Sequence, residues 1–136
     1  MATSTLAQVA QFTSEGSDYA SNVKEFIDAL AVALIAKPGD SSIAAMIEDE
    51  PAELGGVFDA HLGGLAECIA DRNGLPCPAW ANKPNRFLSR PFFMGGARAH
   101  RMLLTTTTYC MRRRNLFCGQ VSLGSLRATK ASTREA

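Results

Sequence analysis

No apolar run in this 136-residue sequence approaches the roughly 20 residues needed to cross a bilayer; the longest, Ile27 to Ala36, is broken by Asp28 and rich in alanine. Met1 to Ala10 holds no lysine or arginine, which argues against a secretory signal, so a cytoplasmic protein without membrane contact is expected. In that setting the four cysteines, Cys68, Cys77, Cys110 and Cys118, are expected as free thiols. They include no Cys-x-x-Cys pair, the close spacing on which zinc sites usually rest. Gly-x-Ser-x-Gly elbows, phosphate-binding glycine loops, paired His–Glu metal motifs and internal repeats are missing too. His61 and Cys68, seven apart, would share one helix face, but so would two core residues. Glu48-Asp49-Glu50 with Glu53 reads as a solvated helix terminus rather than a cation site. No catalytic residue, metal or cofactor is therefore assigned.

Each half of the chain is also short of one charge. Met1 to Asp71 carries twelve acids and two lysines, net −10; Arg72 to Ala136 carries twelve bases and one acid, Glu135, net +11. Two readings follow. Acidic and basic elements pack together and their fields cancel, or the basic half presents a patch to a polyanion.

What is present fits one globular domain. With 46% hydrophobic and 20% charged residues, a chain of this length buries roughly 65–70% of its unfolded surface. The pattern predicts an all-α, single-domain bundle of four to six helices with a proline-rich irregular segment. Residues 1–17 are a candidate mobile arm, or a short helix on Leu6, Val9 and Phe12. Residues 18–74 form an acidic helical half, 75–127 a basic half and 128–136 a polar tail. Val23, Phe26, Ile27, Leu30 and Leu34 recur at helical spacing from about residue 20 to Ala36, with Ser17 or Ser21 as cap and Lys37-Pro38-Gly39-Asp40 as stop. Ile43, Met46 and Ile47 mark a short helix behind Ser41 or Ser42. A longer one is expected to start at Pro51, with Glu53 near its positive end and Leu54, Phe58, Leu62, Leu65 and Ile69 inward, and to stop at Asn73-Gly74. Gly55, Gly56, Gly63 and Gly64 cost such a helix about 1 kcal/mol each relative to alanine, a cost that close approach of another helix would explain.

Leu75 to Met94 mixes prolines with Trp80, Phe87, Phe92 and Phe93, as in a loop anchored on the core, with a short helix near Asn85 to Ser89. A helix from about Ala97 to Thr105, with Met102 and Leu103 inward, breaks in the threonine run. Thr107 or Thr108 then caps a short helix to Arg114; a strand across Leu103 to Cys110 is the alternative. Leu116, Phe117, Val121, Leu123 and Leu126 close the core.

From about Leu62 to Leu123 the sequence resembles an uncharacterised bacterial family of small helical domains. The resemblance lies in Leu65-Ala66-Glu67-Cys68-Ile69-Ala70-Asp71-Arg72-Asn73-Gly74-Leu75-Pro76, then Pro78-Ala79-Trp80, Arg86-Phe87-Leu88, Pro91-Phe92-Phe93 and Arg112-Arg113-Arg114-Asn115-Leu116-Phe117. The family often has glycine where this chain has Asn115. Its members often lie C-terminal to a helix-turn-helix in regulators or antitoxin-like proteins, so the resemblance implies a helical accessory domain and no catalytic residues. The 60 or so residues before the matching block show no evident recognition helix.

One cluster remains as a candidate binding face: Arg98, Arg101, Tyr109, Arg112, Arg113 and Arg114. Three consecutive arginines cannot share one helix face, guanidinium forks suit phosphates, and Tyr109 would stack beside them. The alternative is that these arginines pair with the acids of the first half. The functional expectation is a non-enzymatic interaction or regulatory module with a protein partner or a second copy of itself. Nucleic-acid binding through Arg98 to Arg114 comes second. An enzyme with an unrecognised site, built on His61 or His100 and a nucleophile, comes third.

Overall fold

The computed structural model describes residues 3–36, 41–95 and 97–119. The turn Lys37–Asp40, the core positions Val121, Leu123 and Leu126, and the tail from Ala128 lie outside the described residues. The described chain is an all-α single domain of six helices with one small pair of parallel strands, and none of its helices is long and apolar enough to cross a membrane.

Of the two alternatives for residues 1–17, a mobile arm or a short helix, the structure shows the helix, α1 (Leu6–Ser14). Thr5 and Gln8 form a reciprocal capping box, Gln8 N–H donating to Thr5 Oγ1 at 3.1 Å and Thr5 N–H to Gln8 Oε1 at 3.2 Å. Leu6, Val9 and Ala10 then bury one stripe, while Phe12 stays half-buried. Asp18, rather than Ser17 or Ser21, caps α2 (Tyr19–Ala36) by accepting from the Ser21 amide and hydroxyl, both at 3.0 Å. Phe26, Leu30 and Leu34 are buried, with Val23 and Ile27 packed half-buried beside them. Asn22, buried, donates to Thr13 Oγ1 at 3.0 Å and ties the two helices together. The short α3 (Ser41–Glu48) buries Ile43, Met46 and Ile47, as their spacing predicts.

The next helix starts at Val57, not Pro51. Gly55 and Gly56 take φ of 97° and 59°, where only glycine sits without strain, so the chain turns there before α4 (Val57–Arg72) begins. Asp59, in the first turn, accepts the Leu54 and Gly55 amides at 2.8 and 2.9 Å and folds this turn back over the helix end. Leu62, Leu65 and Ile69 are buried, but Phe58 is largely exposed. The helix stops where Asn73-Gly74 predicts: Gly74 is left-handed at φ 67°, and Leu75 N–H reaches back to Ala70 O at 2.8 Å. A methyl group on Gly63 would sit 2.7 Å from Arg114 Nη1 and 3.0 Å from Arg86 Cβ, and one on Gly64 would fall on the Met111 thioether. Both glycines are therefore the seats of the second half of the chain.

That half is anchored rather than regular. Tight turns at Ala79–Asn82 and Pro84–Arg86 stand where a helix at Asn85–Ser89 was expected. Trp80 is buried with its indole N–H on Ile47 O at 3.0 Å. Phe87 is only half-buried and Phe92 is exposed, so neither joins the core as expected. Strands β1 (Phe92–Phe93) and β2 (Leu116–Phe117) pair in parallel, Phe92 opposite Leu116 and Phe93 opposite Phe117. A parallel pair needs a long crossover, which α5 (His100–Thr106) and α6 (Tyr109–Arg112) supply. The Phe93 ring stacks on Phe117 at 4.7 Å and on His100 at 4.1 Å, fastening the pair to the start of α5. Leu103 faces inward, whereas Met102 is exposed. The segment from Leu103 is helical to Thr106 and not a strand: the Thr105 and Thr106 hydroxyls donate to Met102 O at 3.0 and 2.8 Å, and the helix breaks at Thr107.

Candidate functional site

The six residues of the expected arginine face divide into two groups. Arg114 is fully buried. It donates to Glu67 Oε1 at 2.6 Å, to Cys110 O at 3.0 Å, and to Ala81 O and Arg86 O at 2.6 and 3.2 Å, with its guanidinium 4.5 Å from the Phe87 ring centre. Arg113 lies 5.0 Å from the same ring centre, donating from Nε to both Glu67 oxygens at 3.0 Å and from Nη2 to Asn82 Oδ1 at 2.8 Å. Both charges are thus committed within the fold. Burial pulls the Arg114 pKa down, and Glu67 opposes that shift. Arg112, Arg98, Arg101 and Tyr109 stay exposed, and none of the three arginines has an acidic partner among the described residues.

Tyr109 and Arg112 stand three residues apart on α6, and Arg98 and Arg101 three apart at the entry to α5. Met102 at 61%, Leu104 at 49% and Tyr109 at 63% are exposed apolar groups of the same stretch of chain.

Sequence reasoning missed a second buried cation. Arg86 is fully enclosed, donates to Pro51 O at 2.7 Å, and pairs with Asp59 at 3.5 Å and Glu50 at 3.7 Å, with Trp80 4.9 Å away. Its Nε is the one buried side-chain nitrogen or oxygen without a hydrogen-bond partner among the described residues. Gly63 was the available signal, since a buried arginine needs a close seat as well as a counter-charge.

His61 does not meet Cys68. Its Nδ1 lies 2.7 Å from the Tyr19 hydroxyl, and Tyr19 stacks on Phe58 at 4.2 Å. Burial lowers the His61 pKa to about 4, leaving the ring neutral at physiological pH, and burial with Asp59 nearby raises that of Tyr19. These rings border an open, mainly apolar cavity of about 360 Å³ between the first turns of α2 and α4 and Met94, edged by Val23, Val57 and Asp18. Cys68 instead meets Cys110 of α6; the hydrogen bond between the thiols, with burial, pushes the Cys68 pKa up. His100 stacks on Phe93. Neither histidine contact is with a nucleophile or a carboxylate, and no group of three histidines, cysteines or acids is placed to hold a metal ion among the described residues.

Compared with models of protein families, with curated proteins and with solved structures, the chain finds no match in any of the three.

Proposed function

We propose that this chain is a non-enzymatic interaction or regulatory module of a bacterial system, with its binding face on the α5–α6 corner. One observation carries the reading. Glu67 takes Arg113 and Arg114, while Arg98, Arg101 and Arg112 remain exposed, as do Met102, Leu104 and Tyr109 of the same stretch of chain. Tyrosine and arginine are the residue types that dominate binding hot spots, and free guanidiniums select an acidic partner surface. The resemblance to accessory domains of bacterial regulators supports the same reading, and Asn115 adds to it. Its φ of 65° is the conformation that a glycine, frequent there in that family, adopts freely.

The test is binding to an acidic, apolar partner protein found by co-purification, measured for the intact chain and two variants. Arg98→Ala/Arg101→Ala/Arg112→Ala should slow association and flatten its dependence on salt. Tyr109→Ala/Met102→Ala should raise Kd about tenfold or more by speeding dissociation. Nucleic acid is the competing ligand: three arginines would give log K a slope of about −3 against log salt on duplex DNA, abolished in the triple variant. Duplex binding with that slope, unaffected at Met102, would replace the protein-partner reading. A monomer by light scattering that retains no partner would overturn it.

A further inference from the structure

The cavity between α2 and α4 has a property that packing alone does not require: it leaves one hydrogen-bond donor unused. Tyr19 Oη has a single neighbour, His61 Nδ1. If Nδ1 carried the ring hydrogen, the phenol hydrogen would have no protein acceptor among the described residues, so the phenol donates and Nδ1 accepts. The neutral ring then carries its hydrogen on Nε2, across the ring from Tyr19. Nε2 has no hydrogen-bond partner among the described residues, and His61 borders the cavity. The remaining border is aromatic and aliphatic: Tyr19, Phe58, Val23, Val57 and Met94. At about 360 Å³ the cavity exceeds twice the roughly 150 Å³ that suffices for benzene in an apolar protein site. It also falls within the usual range for small-ligand sites.

From this we infer that the cavity binds a small, uncharged, planar aromatic molecule of one or two rings whose carbonyl accepts from His61 Nε2. Planarity follows from the stacked Tyr19–Phe58 pair, against which a flat ring lies offset. The acceptor follows from the tautomer. Absence of charge follows from Asp18 at the rim, which repels a carboxylate, and from the neutral histidine, which offers it no counter-charge.

Two-dimensional ¹H–¹⁵N NMR of the intact chain tests this with benzamide and 2-naphthamide as probes, and with benzoate and cyclohexanecarboxamide as comparisons. Saturable shifts confined to residues 18–23, 57–61 and 94 are expected, together with a change at the His61 Nε2 resonance. 2-Naphthamide should bind more tightly than benzamide, and both at least fivefold more tightly than the comparisons. His61→Phe should weaken 2-naphthamide at least tenfold. Val23→Trp, which narrows the cavity and leaves the Tyr19–His61 pair in place, should abolish the shifts if it folds; Ala20→Phe at the rim is the second blocking variant. A His61 resonance pattern with the hydrogen on Nδ1 would overturn the proposal. So would benzoate binding as tightly as benzamide, or shifts that persist in a folded blocking variant. The absence of saturable shifts up to the solubility limit of 2-naphthamide would also overturn it.

Discussion

Removing the carboxylate of Glu67 strands two guanidiniums at once, and the consequence can be sized from their surroundings. Arg114 is fully buried, and its charge is answered by one carboxylate; Ala81, Arg86 and Cys110 supply only carbonyl oxygens, and Phe87 a ring face. Breaking a buried ion pair by deleting one partner typically costs about 3–5 kcal/mol. Two features lower that figure here: the Glu67 side chain is 18% exposed, so water reaches the vacated site, and three carbonyls still hold the cation. Glu67→Ala should therefore cost about 2–4 kcal/mol, a fall in Tm of about 6–20 °C for a domain of this size. Glu67→Gln keeps an acceptor at the same place without the charge and should lose about half as much. Arg112→Ala, removing an exposed arginine from the same run, should stay within about 0.5 kcal/mol. Reversible urea unfolding followed by circular dichroism gives all three values on one scale. If Glu67→Ala costs less than about 1 kcal/mol at an unchanged m-value, or no more than Arg112→Ala, the ion cluster does not hold the second half to α4.

Other outcomes follow from single contacts. Gly63→Ala should destabilise by about 1–3 kcal/mol in the same urea assay, although alanine is the better helix former, because its methyl meets Arg86 Cβ and Arg114 Nη1. A gain in stability would show that the two arginines do not need that seat. Asn115→Ala should cost more than Asn115→Gly: both lose the amide's 2.8 Å bond to Leu88 O, but only glycine accepts the φ of 65° without strain. Equal losses would mean that the hydrogen bond, not the backbone, sets the choice at 115. His61, with its folded pKa lowered to about 4, refuses a proton that the unfolded chain takes up near pH 6.5. Its contribution to stability is therefore full above about pH 6.5 and shrinks as pH falls towards 4. The total is about 1–3 kcal/mol, with the lower end favoured by its half-buried position. Subtracting the pH profile of His61→Phe from that of the unaltered chain isolates this term, and a flat difference between pH 4 and 7 would contradict it.

Elements with a strong local period were legible in the sequence. Leu30 and Leu34 on α2, Ile43 and Ile47 on α3, and the Asn73-Gly74 stop all rest on signals a few residues long, and the structure agrees with each. Signals of the same reach went unread at Thr5-x-x-Gln8, whose capping box decides between arm and helix in favour of α1, and at Asp18, whose carboxylate caps α2. The start of α4 was misplaced for a different reason. Pro51 and Glu53 have the local chemistry of a helix start, yet Asp59 draws the Leu54 and Gly55 amides into a turn, and Arg86 takes the Pro51 carbonyl. Those competing partners are up to 35 residues away, beyond the reach of any spacing rule. The arginine run was legible as chemistry but not as geometry. One turn of α6 sends Arg112 to solvent, while the residues after it, where the helix tightens and Asn115 turns left-handed, send Arg114 into the core.

The split of charge along the chain takes on a specific meaning once these pairs are placed. Among the described residues, Lys83–Glu50, Arg86–Glu50, Arg86–Asp59, Arg113–Glu67 and Arg114–Glu67 each join a base of the second half to an acid of the first, and the one pair within a half, Lys24–Asp28, is a single exposed helix turn. Two of the basic partners, Arg86 and Arg114, are fully buried, so neither half can bury its share of these charges alone without meeting the large desolvation cost of an unpaired ion. Glu67, Arg86, Phe87 and Arg114 fasten the irregular segment to α4, while Arg98, Arg101 and Arg112 take no part in these pairs among the described residues.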